Sequence, residues 1–509
     1  MKTATQKIKW NEKLERVWDK SFYSLDHNIY KTITEKEEYR KNVVKNDSSL
    51  TENEKNFLLN ELLRVYDRSR ICDNSVENQQ CNNCLKKHQA TQYCELCIRM
   101  YLENNFGNWT SGNNEIDKLI QECQRKTIGP HQVIEWVEYD QFENVKYLTE
   151  GGCATIYTAT WKDGNYVKWN SERKILERFR RQKIVLKRLN NSNSNNVHWF
   201  QEVILNFTLD NAFMSLVTCR GLTKDPITQD YLLILHYYRN DLRNFLKDNY
   251  QLLTLLQKYR IILKIAFCLN VIHNQNVIHR DLHPGNILYL VGNYAWYISD
   301  LGLSGPVDKP PNSIYGNLPY IAPEVHCGEI YTKKSDIYSM GILMWEVITG
   351  ETPFEDREHD LDLTLDIVKG YRPKNYEYIP REYVTLMNRC WDADPDNRPH
   401  AIIIRRKMES LVKSFYDEMD KQQDPNIQSR NLKSPINTQL SKNTKCRIQN
   451  SKIFSFNIPI KPRNATDEEQ LEMEHKSIEV NNSSKSLDDQ EFGISSSNLG
   501  SQFEPKKFI

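Results

Sequence analysis

One stretch, from Val277 to Gly302, constrains this chain more than any other. Its first part, Val277-Ile278-His279-Arg280-Asp281-Leu282-His283-Pro284-Gly285-Asn286-Ile287-Leu288, sets a polar loop between two apolar pairs. Its second part, Ile298-Ser299-Asp300-Leu301-Gly302, ends an apolar run on an acid and a glycine. Apolar flanks of this kind belong to buried strands, so both polar turns are held on a scaffold.

Further blocks stand in a fixed order around this stretch. Upstream, Gln182-Lys183-Ile184-Val185-Leu186-Lys187 reads as a strand carrying a lysine, and Trp199-Phe200-Gln201-Glu202-Val203 offers an acid on the next helix. Before both comes Leu148-Thr149-Glu150-Gly151-Gly152-Cys153-Ala154-Thr155-Ile156-Tyr157, a glycine-bearing turn between strand candidates. Downstream lie Ala322-Pro323-Glu324, Ser335-Asp336-Ile337-Tyr338-Ser339-Met340-Gly341, Cys390-Trp391 and Asn397-Arg398-Pro399.

In this order the blocks resemble the protein kinases, from about Gln141 to about Ser414. The resemblance implies an α+β, bilobal protein kinase fold, with a small β-rich N-lobe and a larger helical C-lobe. It implies ATP and Mg2+ as the phosphate donor pair. Asp281 would accept or orient the proton of the attacking hydroxyl, and Asn286 and Asp300 would bind magnesium. Lys187 would contact the α- and β-phosphates and pair with Glu202. Leu148, Gly151 and Ile156 would cover the nucleotide, with Leu235 as gatekeeper and Tyr237 in the adenine-binding hinge. Glu324 and Arg398 would form a buried pair, and Asp336 would brace the catalytic-loop backbone. Arg280 would bind a phosphate on the activation segment, where Ser304, Ser313 and Tyr315 supply hydroxyls.

The wording at 279–286, Tyr320-Ile321-Ala322-Pro323-Glu324 and the run from Ser335 to Glu346 resemble tyrosine-kinase-like protein kinases. Within them it is similar to the group expanded in arbuscular mycorrhizal fungi, which carries a paired C-x-x-C leader, then Asn108-Trp109-Thr110-Ser111-Gly112-Asn113 and Ile116-Asp117-Lys118. Departures from the general kinase pattern are local. Thr149 and Ala154 stand for the outer glycines, Cys153 for the aromatic tip and Leu301 for phenylalanine. His283-Pro284-Gly285 replaces the tripeptides of dedicated tyrosine kinases, which favours Ser/Thr hydroxyls and leaves Tyr open as an acceptor; His283 also takes the place of a lysine. The glycine turn and His283 motivate an alternative, a pseudokinase that binds nucleotide and signals by docking.

Bulk properties fit this assignment. The 509 residues exceed one core, and a net charge of +1 carries no general pull towards nucleic acid or membrane. No apolar run approaches the roughly 18 residues of a membrane span, and the charged N-terminus lacks a signal-peptide core. A cytoplasmic protein is expected, in which cysteines are metal ligands or buried thiols.

Four of the twelve cysteines form two C-x-x-C pairs, Cys81/Cys84 and Cys94/Cys97. Such pairs can hold structural zinc in a segment too short to build a core unaided. Lys86, Lys87 and His88 beside them read as a solvated loop rather than a nucleic-acid surface, although an interaction or RNA-binding adaptor stays open as a third reading. The expected layout is a charged helical leader over 1–75, with one amphipathic helix around Phe57–Tyr66 and little defined before it. A zinc segment and bridge follow over 76–140, then the kinase domain over 141–414 and a disordered tail over 425–509. Protein substrates are the expected partners, with docking partners for the leader or the tail. The patch Ile453-Phe454-Ser455-Phe456 could add as a strand to one of them.

Overall fold

The computed structural model describes residues 8–72, 78–150, 154–193, 198–213, 216–290, 295–306, 314–421, 452–454, 458 and 460–475. A six-stranded sheet forms the smaller lobe, in the order Glu135–Trp136, Cys219–Lys224, Tyr231–His236, Gln182–Leu189, Ala154–Trp161, Phe142–Glu150. Only the first pair is parallel; the others run antiparallel. Strand periodicity decides where the key lysine goes. In Gln182–Leu189, Ile184 and Leu186 pack into one apolar cluster, while Leu189 belongs to another on the opposite face. Lys187 shares the face of Leu189, towards the helix His198–Phe213.

The larger lobe is helical because two of its helices are apolar nearly all round. Lys333–Thr349 is buried from Ser335 onward, and Leu255–Asn274 buries most of its length. Capping boxes at Thr254/Gln257 and Thr332/Ser335 open them, and Gly350, in the left-handed region at φ 77°, closes the second. Ala401–Lys421 packs along Leu255–Asn274. A small antiparallel sheet of Asn240–Asp241, Ile287–Leu290 and Ala295–Ile298 lies where the two lobes meet.

The leader is more structured than its composition suggests. Instead of one helix it forms three, Glu12–Tyr23, Ile33–Asn46 and Glu52–Cys72, around Leu14, Val17, Val44, Leu50, Leu58 and Leu62. The first helix gathers Leu14, Val17, Trp18 and Phe22 on one face, whereas the second and third are weakly amphipathic alone, and the shared core holds all three. The first helix lies on the large lobe, where Arg260 meets Glu15 and Asp19. The third reaches the cysteine segment: Asp67 accepts from Thr91 and Gln92, and Arg70 donates to the Gln89 carbonyl. From there Asn114–Lys126, capped by Asn113, packs Ile116, Ile120 and Cys123 against Val203 and Phe207 of His198–Phe213.

The expectation of a structureless tail gives way over part of its length. Lys452–Phe454 is a strand, and 460–475, helical over 467–475, lies against the large lobe. Residues 425–451 and 476–509 lie outside the described residues. No helix among the described residues is long and apolar enough to cross a membrane.

Candidate active site

The cleft between the lobes is built around one lysine. Lys187 Nζ donates to Glu202 Oε1 at 2.6 Å and to Asp300 Oδ1 at 2.7 Å, with Lys187 and Glu202 both buried. Burial works against the ammonium, but Asp300 and then Glu202 more than offset it, so Lys187 stays charged well above its ordinary range. Asp300 is pushed up by the packing around it, yet Lys187 and the Gly302 N–H hold its carboxyl down to about 2. Gly302 packs closely against this pair. A Cβ there would lie 3.1 Å from both Asp300 Oδ1 and Glu202 Oε2.

Below the lysine, the loop after Val277–Ile278 is fixed by one buried carboxylate. Asp336 Oδ2 and Oδ1 accept the backbone N–H groups of His279 (2.8 Å) and Arg280 (2.9 Å). His273 Nε2, at 2.8 Å from Asp336 Oδ2, completes the arrangement. Arg280 sits in the left-handed region, φ 71°, which those two hydrogen bonds hold in place. Asn286 Nδ2 donates to the Asp281 carbonyl (2.9 Å) and to Asp281 Oδ2 (3.3 Å), while its own carbonyl accepts from Ser299 N and Oγ. The Asp281 loop and the Asp300 turn are thus joined by a hydrogen-bonded strand end. Asp300 and the Asn286 amide are hard oxygen donors of the kind magnesium takes, so these residues fit that ion.

A family model described as protein tyrosine and serine/threonine kinase matches residues 142–408, just over half of the 509. The chain belongs to this protein kinase family. Two relatives carry provisional serine/threonine-protein kinase names. One, a kinase/receptor of Acanthamoeba polyphaga mimivirus, is 28% identical over 290 residues, 55% of this chain and 16% of its own. The other, roco5 of Dictyostelium discoideum, is 28% identical over 325 residues, 58% of this chain and 10% of its own. Mitogen-activated protein kinase kinase kinase 7 of Homo sapiens is 34% identical over 140 residues, 27% of this chain and 23% of its own. The chain thus spans less than a quarter of the length of each of these relatives. Its kinase domain implies use of ATP and Mg2+.

The kinase cleft brings together most of the residues read from the sequence. Ile156 pairs with Lys187 across the sheet, Leu235 and Tyr237 are half-buried where the lobes join, and Leu148 is exposed at the sheet edge. Lys183 Nζ lies 3.8 Å over the Tyr237 ring. Gly151 falls outside the described residues, as does Ser313. Ser304 is buried and donates to the His279 carbonyl, which turns it away from solvent. His283 lies beside the catalytic-loop acid: Nε2 is 3.6 Å from Asp281 Oδ2, while Nδ1 accepts the Gly285 N–H. Glu324 and Arg398 meet deep in the large lobe, with Ser335 Oγ also donating to Glu324.

Two features escaped the sequence reading. His273 has no motif of its own, and only the helical spacing before His279 could have pointed to it. The Asn114–Lys126 helix behind Glu202 lies outside the family match, so nothing marked it as part of this site.

The cysteine segment forms a second candidate centre. The four Sγ atoms of Cys81, Cys84, Cys94 and Cys97 lie within 4.8 Å of one another. Cys81 and Cys97 are 3.6 Å apart and Cys84 and Cys94 3.7 Å, far beyond a disulfide bond and near the edge of about 3.8 Å that a tetrahedron of 2.3 Å zinc–sulfur bonds requires. Backbone N–H groups of Asn83 and Cys97 point at Cys81 and Cys94 sulfur, as they do towards thiolates. The donor set fits zinc. This segment packs Ile98 and Leu102 on Trp169 and Leu176 of the hairpin Tyr166–Asn170/Ile175–Arg178 in the small lobe.

Proposed function

We propose that this protein transfers the γ-phosphate of MgATP to serine or threonine hydroxyls of proteins, as an active kinase of the tyrosine-kinase-like type with the fungal leader described above. One observation carries it: Lys187 bridges Glu202 and Asp300 while Asp281 and Asn286 lie in the loop joined to the Asp300 turn. In this proposal Lys187 holds the nucleotide phosphates, Asp300 and Asn286 hold magnesium, and Asp281 takes the hydroxyl's hydrogen bond and orients its oxygen for attack. Magnesium, when bound, neutralises charge on the phosphates. Asp336 keeps the loop backbone in register, and Glu324 with Arg398 keeps the substrate-side segment attached to the lobe. The small-lobe residues Leu148, Gly151, Ile156, Leu235 and Tyr237 enclose the base and sugar.

Serine/threonine choice is supported by His283-Pro284-Gly285 and by the names of the relatives. An active enzyme is favoured over a pseudokinase because Lys187, Asp281, Asn286 and Asp300 are all present and the ion pair is formed. The four cysteines are assigned to one structural zinc. The division into leader, cysteine segment with bridge, and kinase domain belongs to the same proposal, as does residence in the cytoplasm. Phosphate transfer from labelled MgATP to a generic protein substrate, compared with Asp281→Asn, tests it. Loss of about a hundredfold or more in the variant, with nucleotide binding intact and label on serine or threonine, is expected. A folded, nucleotide-binding wild type with no transfer overturns it.

A further inference from the structure

The activation segment is already paired with a strand from the same chain. Ile314–Gly316 runs antiparallel to Lys452–Phe454, with Ile314 opposite Phe454, Tyr315 opposite Ile453 and Gly316 opposite Lys452. This two-stranded pairing lies at the catalytic carboxylate. A Cβ on Gly316, which has φ +147°, would sit 3.4 Å from Asp281 Oδ1. An extended peptide presenting a hydroxyl to Asp281 needs this same backbone edge, because an unpaired strand edge recognises peptides through its own N–H and C=O groups.

The pairing is not an isolated touch of three residues. Downstream of the strand, the segment stays on the large lobe for its whole described length. Ile458 is buried, and the Ile460 carbonyl lies 3.0 Å from Cys327 Sγ, just beyond the Ala322-Pro323-Glu324 turn. Arg463 N donates to the Val368 carbonyl, and the Asn464 side chain accepts from Ala393 N and donates to Asp392. Gln470 Nε2 donates to the Arg372 carbonyl, and Glu474 pairs with Lys374 at 3.2 Å. Beneath them lies Gly370, with φ +107°, where a Cβ would fall 2.2 Å from Ala465 N. Only glycine leaves room for the tail backbone at that point.

We infer that the strand Lys452–Phe454, anchored through residues 460–474, is the resident occupant of the substrate edge, an intramolecular peptide that competes with protein substrates for the backbone of 314–316 beside Asp281. The inference rests on the kinase reading above. Tethering makes the competitor effective: a strand held by its own anchor faces the edge at millimolar effective concentration, so weak three-residue pairing is enough. The long anchor, on the end of the helix Leu361–Val368 and the loop residues Gly370, Arg372, Lys374, Asp392 and Ala393, supplies the tether, and the strand supplies the block.

The test uses the full chain, two tail variants and a fluorescent peptide of residues 446–460 as a free probe. Ile453→Pro fixes φ and removes a backbone donor in the strand, and Asn464→Ala removes two anchor hydrogen bonds; neither residue belongs to the catalytic machinery. The probe should bind Ile453→Pro about tenfold more tightly than wild type, and KM for a generic protein substrate should fall by about the same factor. The KM for ATP and kcat at saturating substrate should not change, and Asn464→Ala should move in the same direction. Equal probe affinity for wild type and both variants overturns the inference. So does a probe that discriminates them while substrate KM stays fixed. If no chain transfers phosphate but the probe still discriminates, the kinase reading fails and the occupied edge stands.

Discussion

Arg398 grips Glu324 with both arms of its guanidinium inside the large lobe, Nη1 to Oε1 at 2.8 Å and Nη2 to Oε2 at 2.7 Å, with the arginine side chain fully buried. A buried pair of this kind is expensive to break by halves, because the remaining charge keeps its desolvation cost. Arg398→Leu should therefore destabilise the protein by about 3–5 kcal/mol, read by denaturant unfolding. Glu324→Gln/Arg398→Leu together should cost less than Arg398→Leu alone. A single-variant loss below about 1 kcal/mol contradicts the burial described here.

The helix that carries Glu202 is supported from behind by Asn114–Lys126, through Ile116, Ile120 and Cys123 on Val203 and Phe207. Placing a charge in that contact should loosen the hold of Glu202 on Lys187. Ile120→Asp is expected to lower kcat/KM by about tenfold, within the range of a coupling carried by packed side chains, whereas Ile120→Val should be close to wild type. Unchanged rates in Ile120→Asp would show that the helix is a passenger.

Removing zinc should act on the leader before it acts on the chemistry. Metal analysis of wild type is expected to give about one zinc per chain, and none for Cys97→Ser. Chelation should shift the emission of Trp169, which packs on the cysteine segment, and expose 78–103 to protease. A full metal content in Cys97→Ser would remove the four-thiolate assignment.

Acid should tighten the seat of the first helix. Burial lifts Glu15 to about 7 and Asp19 to about 6, although Arg260 opposes both shifts. Two acids share that one guanidinium, with Glu12 beside them on the same helix and Tyr416 and Glu409 facing from Ala401–Lys421. Because these acids hold protons in the folded protein that the unfolded chain has lost, stability falls as pH rises from about 4.5 through about 7. Amide exchange of Glu12–Tyr23 should accelerate across that window, and Glu15→Gln should flatten the profile. Exchange that slows with rising pH, after correction for intrinsic rates, is the contrary outcome.

The cleft itself was legible because its chemistry is written locally. Asp281 and Asn286 lie five residues apart in one loop, and Asp300 follows just past the second of the two strands after it, so short-range order alone exposes them. Glu202 could be picked from its place on a helix after the lysine strand, and it does meet Lys187. The leader was legible only in part. Leu58 and Leu62 show helical spacing, and so do Leu14, Val17, Trp18 and Phe22, a signal the sequence reading passed over; Val44 gains its meaning only from the other two helices. The tail strand carried an apolar signal at Ile453 and Phe454, but its partner lies well over a hundred residues upstream. No local pattern specifies a three-residue antiparallel pairing at that separation, nor a glycine at 370 whose purpose is to admit residue 465.

Glu15 and Asp19 fasten the leader to the large lobe, Asp67 and Arg70 fasten its other end to the cysteine segment, and that segment is seated on the small lobe. Two bodies that share a hinge near Tyr237 are therefore also linked along a second route, and a closed linkage has fewer ways to move than an open one. The gap between the lobes can widen only as far as this strut bends or lets go at one end.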